Sequence, residues 1–201
     1  LTDLGSSAHM DFYTLGSSSG YEAVWSPNGK YIAGVGGTGN ATLKIYGWNG
    51  TALLPAPSSP LATKTMVTGI YGCDWSPDQK YITITGNNGG GGVNSIMLYE
   101  WDGTYLTFKA TKTLGTTWTQ HSTWSPDGKY LATACDTTTK TFTIFSWDGL
   151  SLTETTSKTY DNHGCGTAWT HDGKYVCTYG THSGAGIVTI WGWDTTKPND
   201  T

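Results

Sequence analysis

Short apolar segments separated by polar turns run along the whole chain and predict an all-β protein. In four of these segments, apolar or aromatic residues occupy both odd and even positions, as in TLKIYGW, SIMLYEW, TFTIFSW and IVTIWGW. Successive side chains of a strand point to opposite faces, so these strands bury both faces. A two-sheet sandwich with one wet face per sheet would alternate more cleanly. The pattern therefore predicts sheets that are packed between two neighbouring sheets.

Two tryptophan positions divide the chain into four similar units. One tryptophan begins the motif WSPDGKY or a close variant of it, and another ends each doubly apolar segment, with spacings of roughly 45 to 53 residues. Periods of this size in a strand-rich sequence are typical of propeller blades. We expect all eight tryptophans to pack in the core: Trp25, Trp75, Trp124 and Trp169, and Trp48, Trp101, Trp147 and Trp193.

Turn residues join the strands within each unit. The sequence SPDG is typical of a type I turn, and the Asn-Gly or Asp-Gly pair after the doubly apolar segment predicts a type I′ hairpin. Gln79 stands where glycine is expected, so it must adopt a left-handed conformation or the turn must be remodelled. The segments MDFYTL, ATKTMV, FKATKTL and ETTSKTY complete a four-stranded meander. One domain over 1–201 would then hold blades at approximately 1–50, 51–103, 104–149 and 150–201.

The stretch WSPDGKYLATA…FTIFSWDG resembles the WD-repeat-like units of TolB-type and lactonase-type propellers, and similar repeats in phage and surface proteins. The resemblance covers nearly the whole chain and implies a β-propeller of four four-stranded antiparallel blades. We expect the four blades to close within one chain, because the amount of sequence matches four whole units. Half of an eight-bladed ring, completed by a second copy, and part of a larger propeller are the alternatives. These repeats serve many functions.

The composition of the chain limits the classes of partner that we expect it to bind. Only 13 % of residues are charged, the formal net charge is −4, and no Lys/Arg cluster is present, so we expect no nucleic acid partner. No apolar run approaches the roughly 18 residues of a spanning helix, so no membrane insertion is expected. The first residues, LTDLGSSAHM, lack a signal pattern, and the start at Leu1 suggests a processed protein or an excerpt of a longer one.

The cysteines and the Asn-x-Ser/Thr sequons provide few candidate functional sites. The cysteines show no zinc-type spacing, and Cys165 and Cys177 are about two residues out of register for a disulfide, so free buried thiols are expected: Cys73, Cys135, Cys165 and Cys177. Three Asn-x-Ser/Thr sequons are glycosylation candidates if the protein is secreted by a eukaryote: Asn40, Asn49 and Asn199.

The loops opposite the SPDG turns vary in length and chemistry, and a rigid scaffold usually displays its function on such loops. Aromatic residues there could stack on sugar rings, and imidazoles and carboxylates could bind a metal or move protons. No close ligand spacing supports a metal, so no metal, cofactor or catalytic residue is predicted. The ligand-binding candidates are Tyr21, Tyr71, Asn87, Asn88, Trp118, His121, Asp136, His163 and His182. Asp74, inside a predicted buried strand, is interpreted as a solvent-facing or hydrogen-bonded carboxylate, with a special role as the alternative.

These observations favour a non-catalytic scaffold for protein interaction or assembly. We expect a structural subunit of an extracellular, cell-surface or virion assembly, with protein partners and self-assembly or a homo-oligomer. A glycan-binding, lectin-like propeller is the alternative. A lactonase-type hydrolase is the second alternative, which the family resemblance suggests, although no strand-to-helix nucleophile elbow supports a serine nucleophile.

Overall fold

The computed structural model of the chain consists of four antiparallel β-sheets that follow one another along the sequence. It describes residues 19–37, 41–54, 60–66, 69–87, 94–115, 119–135, 141–159, 164–182, 185–194 and 196. Across these ranges, no helix has the length and apolar character that a membrane span requires. The all-β propeller prediction is confirmed.

Each sheet is a blade that begins with the strand preceding a WSPDGKY-type motif. The first blade contains β1 (Gly20–Trp25), β2 (Tyr31–Gly36), β3 (Thr42–Trp48), β4 (Leu53–Leu54) and β5 (Ala62–Thr65), where β4 and β5 both pair with β3. The second contains β6 (Ile70–Trp75), β7 (Tyr81–Asn87), β8 (Asn94–Trp101) and β9 (Leu106–Gly115).

The third blade contains β10 (Thr119–Trp124), β11 (Tyr130–Cys135), β12 (Phe142–Trp147) and β13 (Leu152–Lys158). The fourth has three described strands rather than four: β14 (Gly164–Trp169), β15 (Tyr175–His182) and β16 (Ala185–Gly192).

The predicted limits of the blades differ by one strand from the limits of the sheets in the structure. The segment ATKTMV supplies β5, which pairs with β3 of the preceding motif and not with the strands that follow it. The same holds for β9 and β13, which pair with β8 and β12. Blades therefore end after the fourth segment of each unit, and the limits 1–50, 51–103, 104–149 and 150–201 describe sequence repeats but not sheets.

The motif turns have the predicted geometry. In the first turn, the N–H of Gly29 donates to the carbonyl of Ser26 at 2.8 Å, and the hydroxyl of Ser26 donates to Asn28 at 2.8 Å. The same hydroxyl accepts the N–H of Tyr31 at 2.9 Å, which ties the turn to the next strand. Gln79 takes the left-handed conformation, with φ of 63°, that glycine has in the other three turns.

The second hairpin turn differs from the type I′ prediction. Only its glycine has positive φ, as in Gly50 at 98°. The side chain of the preceding residue accepts backbone N–H groups two and three residues further on, as Asn49 does from Thr51 and Ala52. Asp102 and Asp148 repeat this arrangement. An Asx-type turn forms because the polar side chain satisfies the N–H groups of the turn.

Apolar side chains between neighbouring blades form three core clusters. A tyrosine–tryptophan contact accompanies each cluster: the tyrosine of the motif in one blade packs against a tryptophan of the next blade. The ring centroids are 5.5 Å apart for Tyr31–Trp101, 5.3 Å for Tyr81–Trp147 and 5.0 Å for Tyr130–Trp193. The repeated motif therefore supplies both the turn within a blade and a contact between blades.

The first and last blades each leave one face open. On the last blade, Val188 is 72 % exposed and Ile190 is 70 % exposed. On the first blade, Trp25 is 52 % exposed, whereas the equivalent Trp75 and Trp124 are buried. Strands β1, β6, β10 and β14 contact one another in that order, and within the described ranges no comparable contact joins β14 to β1.

Two expectations are corrected by these open faces. The described blades form an open arc and do not close into a ring by themselves. Burial of all eight repeated tryptophans is also wrong, because Trp25 is 52 % exposed and no blade precedes it among the described residues. The structure has no disulfide among its four cysteines, as expected; Cys73 and Cys135 are buried, but Cys165 and Cys177 are only half-buried.

Candidate functional site

The inner strands of the four blades line one cavity of about 500 Å³, here called the inner cavity. Each of these strands has a β-bulge at the same place, before the motif tryptophan. A bulge places one extra residue in the strand and redirects its side chain. The bulged residues are Tyr21, Tyr71, Gln120 and Cys165, and the other lining residues are Glu22, His121 and Tyr179.

An imidazole–carboxylate pair lies in the inner cavity. Nε2 of His121 is 2.9 Å from Oε1 of Glu22, although the two residues belong to blades three and one. Oε2 of Glu22 accepts the backbone N–H of Cys73 at 2.8 Å, and Nδ1 of His121 accepts the N–H of Thr167 at 3.5 Å. The pair therefore connects the inner strands of all four blades.

Asp74 forms a second connection between inner strands. Its Oδ1 accepts the N–H of Trp75 and its Oδ2 accepts the N–H of Trp124, both at 2.9 Å. Burial raises the pKa of Asp74 to about 6, in spite of these hydrogen bonds, which lower it. Asp74 also lines a separate cavity at the SPDG end of the arc, beside Pro77 and His171. Asp74 is half-buried and hydrogen-bonded, which agrees with its interpretation as a solvent-facing or hydrogen-bonded carboxylate.

Glycine makes room for these connections at the position three residues before the motif tryptophan. Glu22 and His121 occupy that position in blades one and three, and Gly72 and Gly166 occupy it in blades two and four. A Cβ on Gly72 would lie 2.7 Å from the carbonyl oxygen of Gln120 and 3.1 Å from Oε2 of Glu22. The absence of a side chain there lets the carboxylate of Glu22 reach the next strand.

The charge on His121 depends on opposing effects. Burial lowers its pKa, but the hydrogen bond and the charge of Glu22, together with the charge of Asp74, raise it above the ordinary value. The imidazole is therefore charged over a wider pH range than a free histidine. When protonated it forms an ion pair with Glu22, and Nδ1, which then carries a proton, no longer accepts the N–H of Thr167. Burial also raises the pKa of Tyr71, as does the nearby Tyr21.

Three of the predicted ligand-binding residues meet in the inner cavity: Tyr21, Tyr71 and His121. Asn87 ends β7 and His182 ends β15, but their side chains lie outside the described residues. The remaining candidates also lie outside them, namely Asn88, Trp118, Asp136 and His163. Of the sequons, Asn49 is exposed in a turn, while Asn40 and Asn199 are not described, so glycosylation stays a prediction.

Four lining residues were missed by the sequence analysis: Glu22, Gln120, Cys165 and Tyr179. The sequence contains a pattern that could have identified Glu22, the first of these residues. Aligning the four units three residues before the motif tryptophan gives Glu22, Gly72, His121 and Gly166, a position that holds either a polar group or no side chain. Such a pattern marks a place where strands approach closely.

The arrangement holds the inner strands of the four blades together. Both ring nitrogens of His121 already have partners, Glu22 and the backbone of Thr167, so neither is directed at a substrate as a general base. Among the described residues, no group of three His, Cys, Asp or Glu side chains could hold a metal ion.

Comparison with known proteins defines the family. Residues 17–162, well over half of the 201 residues, match the family described as eukaryotic translation initiation factor eIF2A. The chain belongs to the eIF2A family. No curated protein sequence matches this eIF2A-family chain.

Solved structures similar to this eIF2A-family chain are WD-repeat-like propellers and a lactonase-type propeller. A chain of the mitotic checkpoint complex has a TM-score of 0.72 at 18 % identity, over 90 % of this chain and 54 % of that one. Sqt1 of Chaetomium thermophilum has a TM-score of 0.67 at 14 % identity, over 89 % and 46 %. A Bacteroides uniformis protein assigned as a 6-phosphogluconolactonase has 0.55 at 16 %, over 86 % and 67 %.

These identities establish the fold alone. The chain spans about half the length of the mitotic-checkpoint and Sqt1 chains, at 54 % and 46 %. The chain therefore has a WD-repeat-like β-propeller fold.

Proposed function

We propose that the chain is a non-catalytic protein-interaction scaffold that associates with a second copy of itself through its two open blade faces. Its membership of the eIF2A family and its likeness to a subunit of the mitotic checkpoint complex support a role in protein assemblies. The observation that carries the proposal is the exposure of Val188 and Ile190 on the last blade.

These two residues occupy a position that is buried in every other blade. The equivalent pairs are at most 2 % exposed, because the next blade covers them: Leu43 and Ile45, Ile96 and Leu98, Phe142 and Ile144. Burying an aliphatic side chain stabilises a structure by about 1.5 to 3 kcal/mol. The last blade therefore presents a surface that has the composition of a blade–blade interface and lacks its neighbour within the described residues.

The two open faces of the arc complement each other. Tyr175 is the motif tyrosine of the last blade and is 48 % exposed, and among the described residues it lacks the tryptophan contact made by Tyr31, Tyr81 and Tyr130. The first blade offers the missing half, because Trp25 and Trp48 form an edge-to-face pair with ring centroids 5.8 Å apart. A second copy placed head to tail would repeat the internal blade contact twice and close a ring of eight blades.

Molar mass in solution tests this proposal. Light scattering after gel filtration should give twice the mass of the chain, and electron microscopy should show a closed ring. Ile190→Lys should convert the dimer to a monomer, because it places a charge in the apolar contact. Leu150→Lys, at an exposed leucine in a hairpin turn, is the matched control and should leave the dimer intact. A monomer at high concentration, or open filaments, would contradict the proposed ring.

A catalytic role is the weaker proposal. The lactonase-type fold likeness favours it, but His121 is occupied on both nitrogens. Lactone hydrolysis by the purified chain that is lost in His121→Asn would support an enzyme. The extracellular, cell-surface or virion location stays a prediction, and the eIF2A likeness instead supports a place beside the translation machinery.

A further inference from the structure

We propose that the inner cavity binds a quaternary ammonium group. Three tyrosines, Tyr21, Tyr71 and Tyr179, line it together with the carboxylate of Glu22, and its described lining contains no Lys or Arg. Aromatic faces attract cations through their quadrupole, and rings grouped around a cavity are used to bind quaternary ammonium ions. A volume of about 500 Å³ accommodates such a head group together with part of the chain that carries it.

The ring geometry favours a compact cation over a sugar. Tyr21 and Tyr71 lie edge to face, with centroids 5.3 Å apart and planes at 70°. Two nearly perpendicular rings form adjoining walls, whereas a sugar ring stacks on one flat aromatic platform. A small and roughly spherical group contacts both walls at once, as a trimethylammonium group does.

The hydrogen bonds of Glu22 explain why the cation should be quaternary. Oε1 is 2.9 Å from His121 Nε2, and Oε2 accepts the N–H of Cys73 at 2.8 Å. Both oxygens are therefore already engaged, and the negative charge of the carboxylate is uncompensated while His121 is neutral but is offset when His121 is protonated. A quaternary ammonium ion gains from that charge without forming a hydrogen bond, whereas a primary ammonium ion loses hydration that Glu22 only partly replaces.

Two glycines fix the tyrosine walls. A Cβ on Gly69 would lie 2.8 Å from the hydroxyl of Tyr71, and a Cβ on Gly166 would overlap the ring of Tyr179. Each ring therefore lies directly against backbone. Backbone packing on one side limits the freedom of each ring, which favours affinity, and Tyr179 is otherwise 54 % exposed.

Titration with tetramethylammonium chloride, followed by ligand-observed NMR against a sodium chloride control, tests this site on the intact chain. Tetramethylammonium should bind more tightly than ammonium. Tyr71→Leu should weaken binding at least fivefold, since one aromatic wall is lost. Tyr71→Phe should retain binding, because the ring remains. Tyr105→Leu, at an exposed tyrosine outside the cavity, is the matched control.

A trimethyl-lysine peptide and phosphocholine then distinguish the source of the ammonium group. Tighter binding of the peptide identifies a modified protein tail, and tighter binding of phosphocholine identifies a lipid-type head group. Tyr179→Leu provides a second variant if Tyr71→Leu does not fold. Equal affinity of wild type and both leucine variants, preference for a simple hexose, or no binding at about 10 mM tetramethylammonium would overturn the proposal.

Discussion

Asp74 makes the stability of this protein depend on pH in an unusual direction. Burial raises its pKa from 3.8 to about 6. Between these values Asp74 binds more protons in the folded protein than in the unfolded chain, so its contribution to stability is complete below about pH 3.8 and is lost as the pH rises to about 6. The raised pKa of His121 acts in the same direction at somewhat higher pH, because its proton is also bound more tightly in the folded state.

The size of the effect follows from the shift. A change of about 2 pKa units corresponds to about 3 kcal/mol in total, and about 2 kcal/mol of this falls between about pH 4 and pH 7.5. Asp74→Asn cannot ionise. Its amide keeps one acceptor but places a donor against the second backbone N–H, which costs roughly 1 to 3 kcal/mol at any pH.

Urea unfolding followed by tryptophan fluorescence, at about pH 4 and at about pH 7.5, measures both contributions. The stability advantage of wild type over Asp74→Asn should shrink by about 2 kcal/mol from the lower to the higher pH. Asp172→Asn is the matched control: hydrogen bonds from Thr170 and the Lys174 backbone lower the pKa of Asp172 to about 2, so its pH dependence should stay close to that of wild type. Parallel pH curves for wild type and Asp74→Asn would refute the reasoning.

Three substitutions test the repeat itself by urea unfolding. Tyr130→Ala should lower the free energy of unfolding by about 1 to 3 kcal/mol, because it removes the contact with Trp193 of the next blade. Tyr175→Ala should change the stability of the monomer little. Equal losses of stability in the two variants would contradict the role of the tyrosine contact. Gln79→Gly should stabilise by roughly 0.5 to 1 kcal/mol, because φ of 63° suits glycine, and a loss of stability would show that the Gln79 side chain outweighs this strain.

The strand order could be predicted because the tryptophans and turn residues repeat with little variation. The sheet to which each fourth segment belongs could not. The segment containing β5 lies between β3 and β6 in sequence, and pairing with either one gives a four-stranded meander. The choice depends on how blades pack, which the local pattern does not express.

Ring closure and the inner cavity depend on contacts between residues that are far apart in the sequence. Val188 and Ile190 are the same kinds of residue as Leu43 and Ile45, so their exposure follows from the lack of a neighbouring blade and not from their own chemistry. Glu22 and His121 are 99 residues apart in the chain. Their contact arises because inner strands converge around one axis, so the importance of Glu22 was not visible from its own surroundings in the sequence.

Because of the bulges in the inner strands, the residues that line the inner cavity differ from those that pack the blades together. Each blade contributes one bulged side chain to the inner cavity, while the residues that pack the blades lie elsewhere on the strands. The four bulged positions can therefore vary independently of the core. Substituting Tyr21, Tyr71, Gln120 and Cys165 in combination would change which ligands the cavity binds and leave the packing of the blades unchanged. One scaffold could therefore carry many different binding sites.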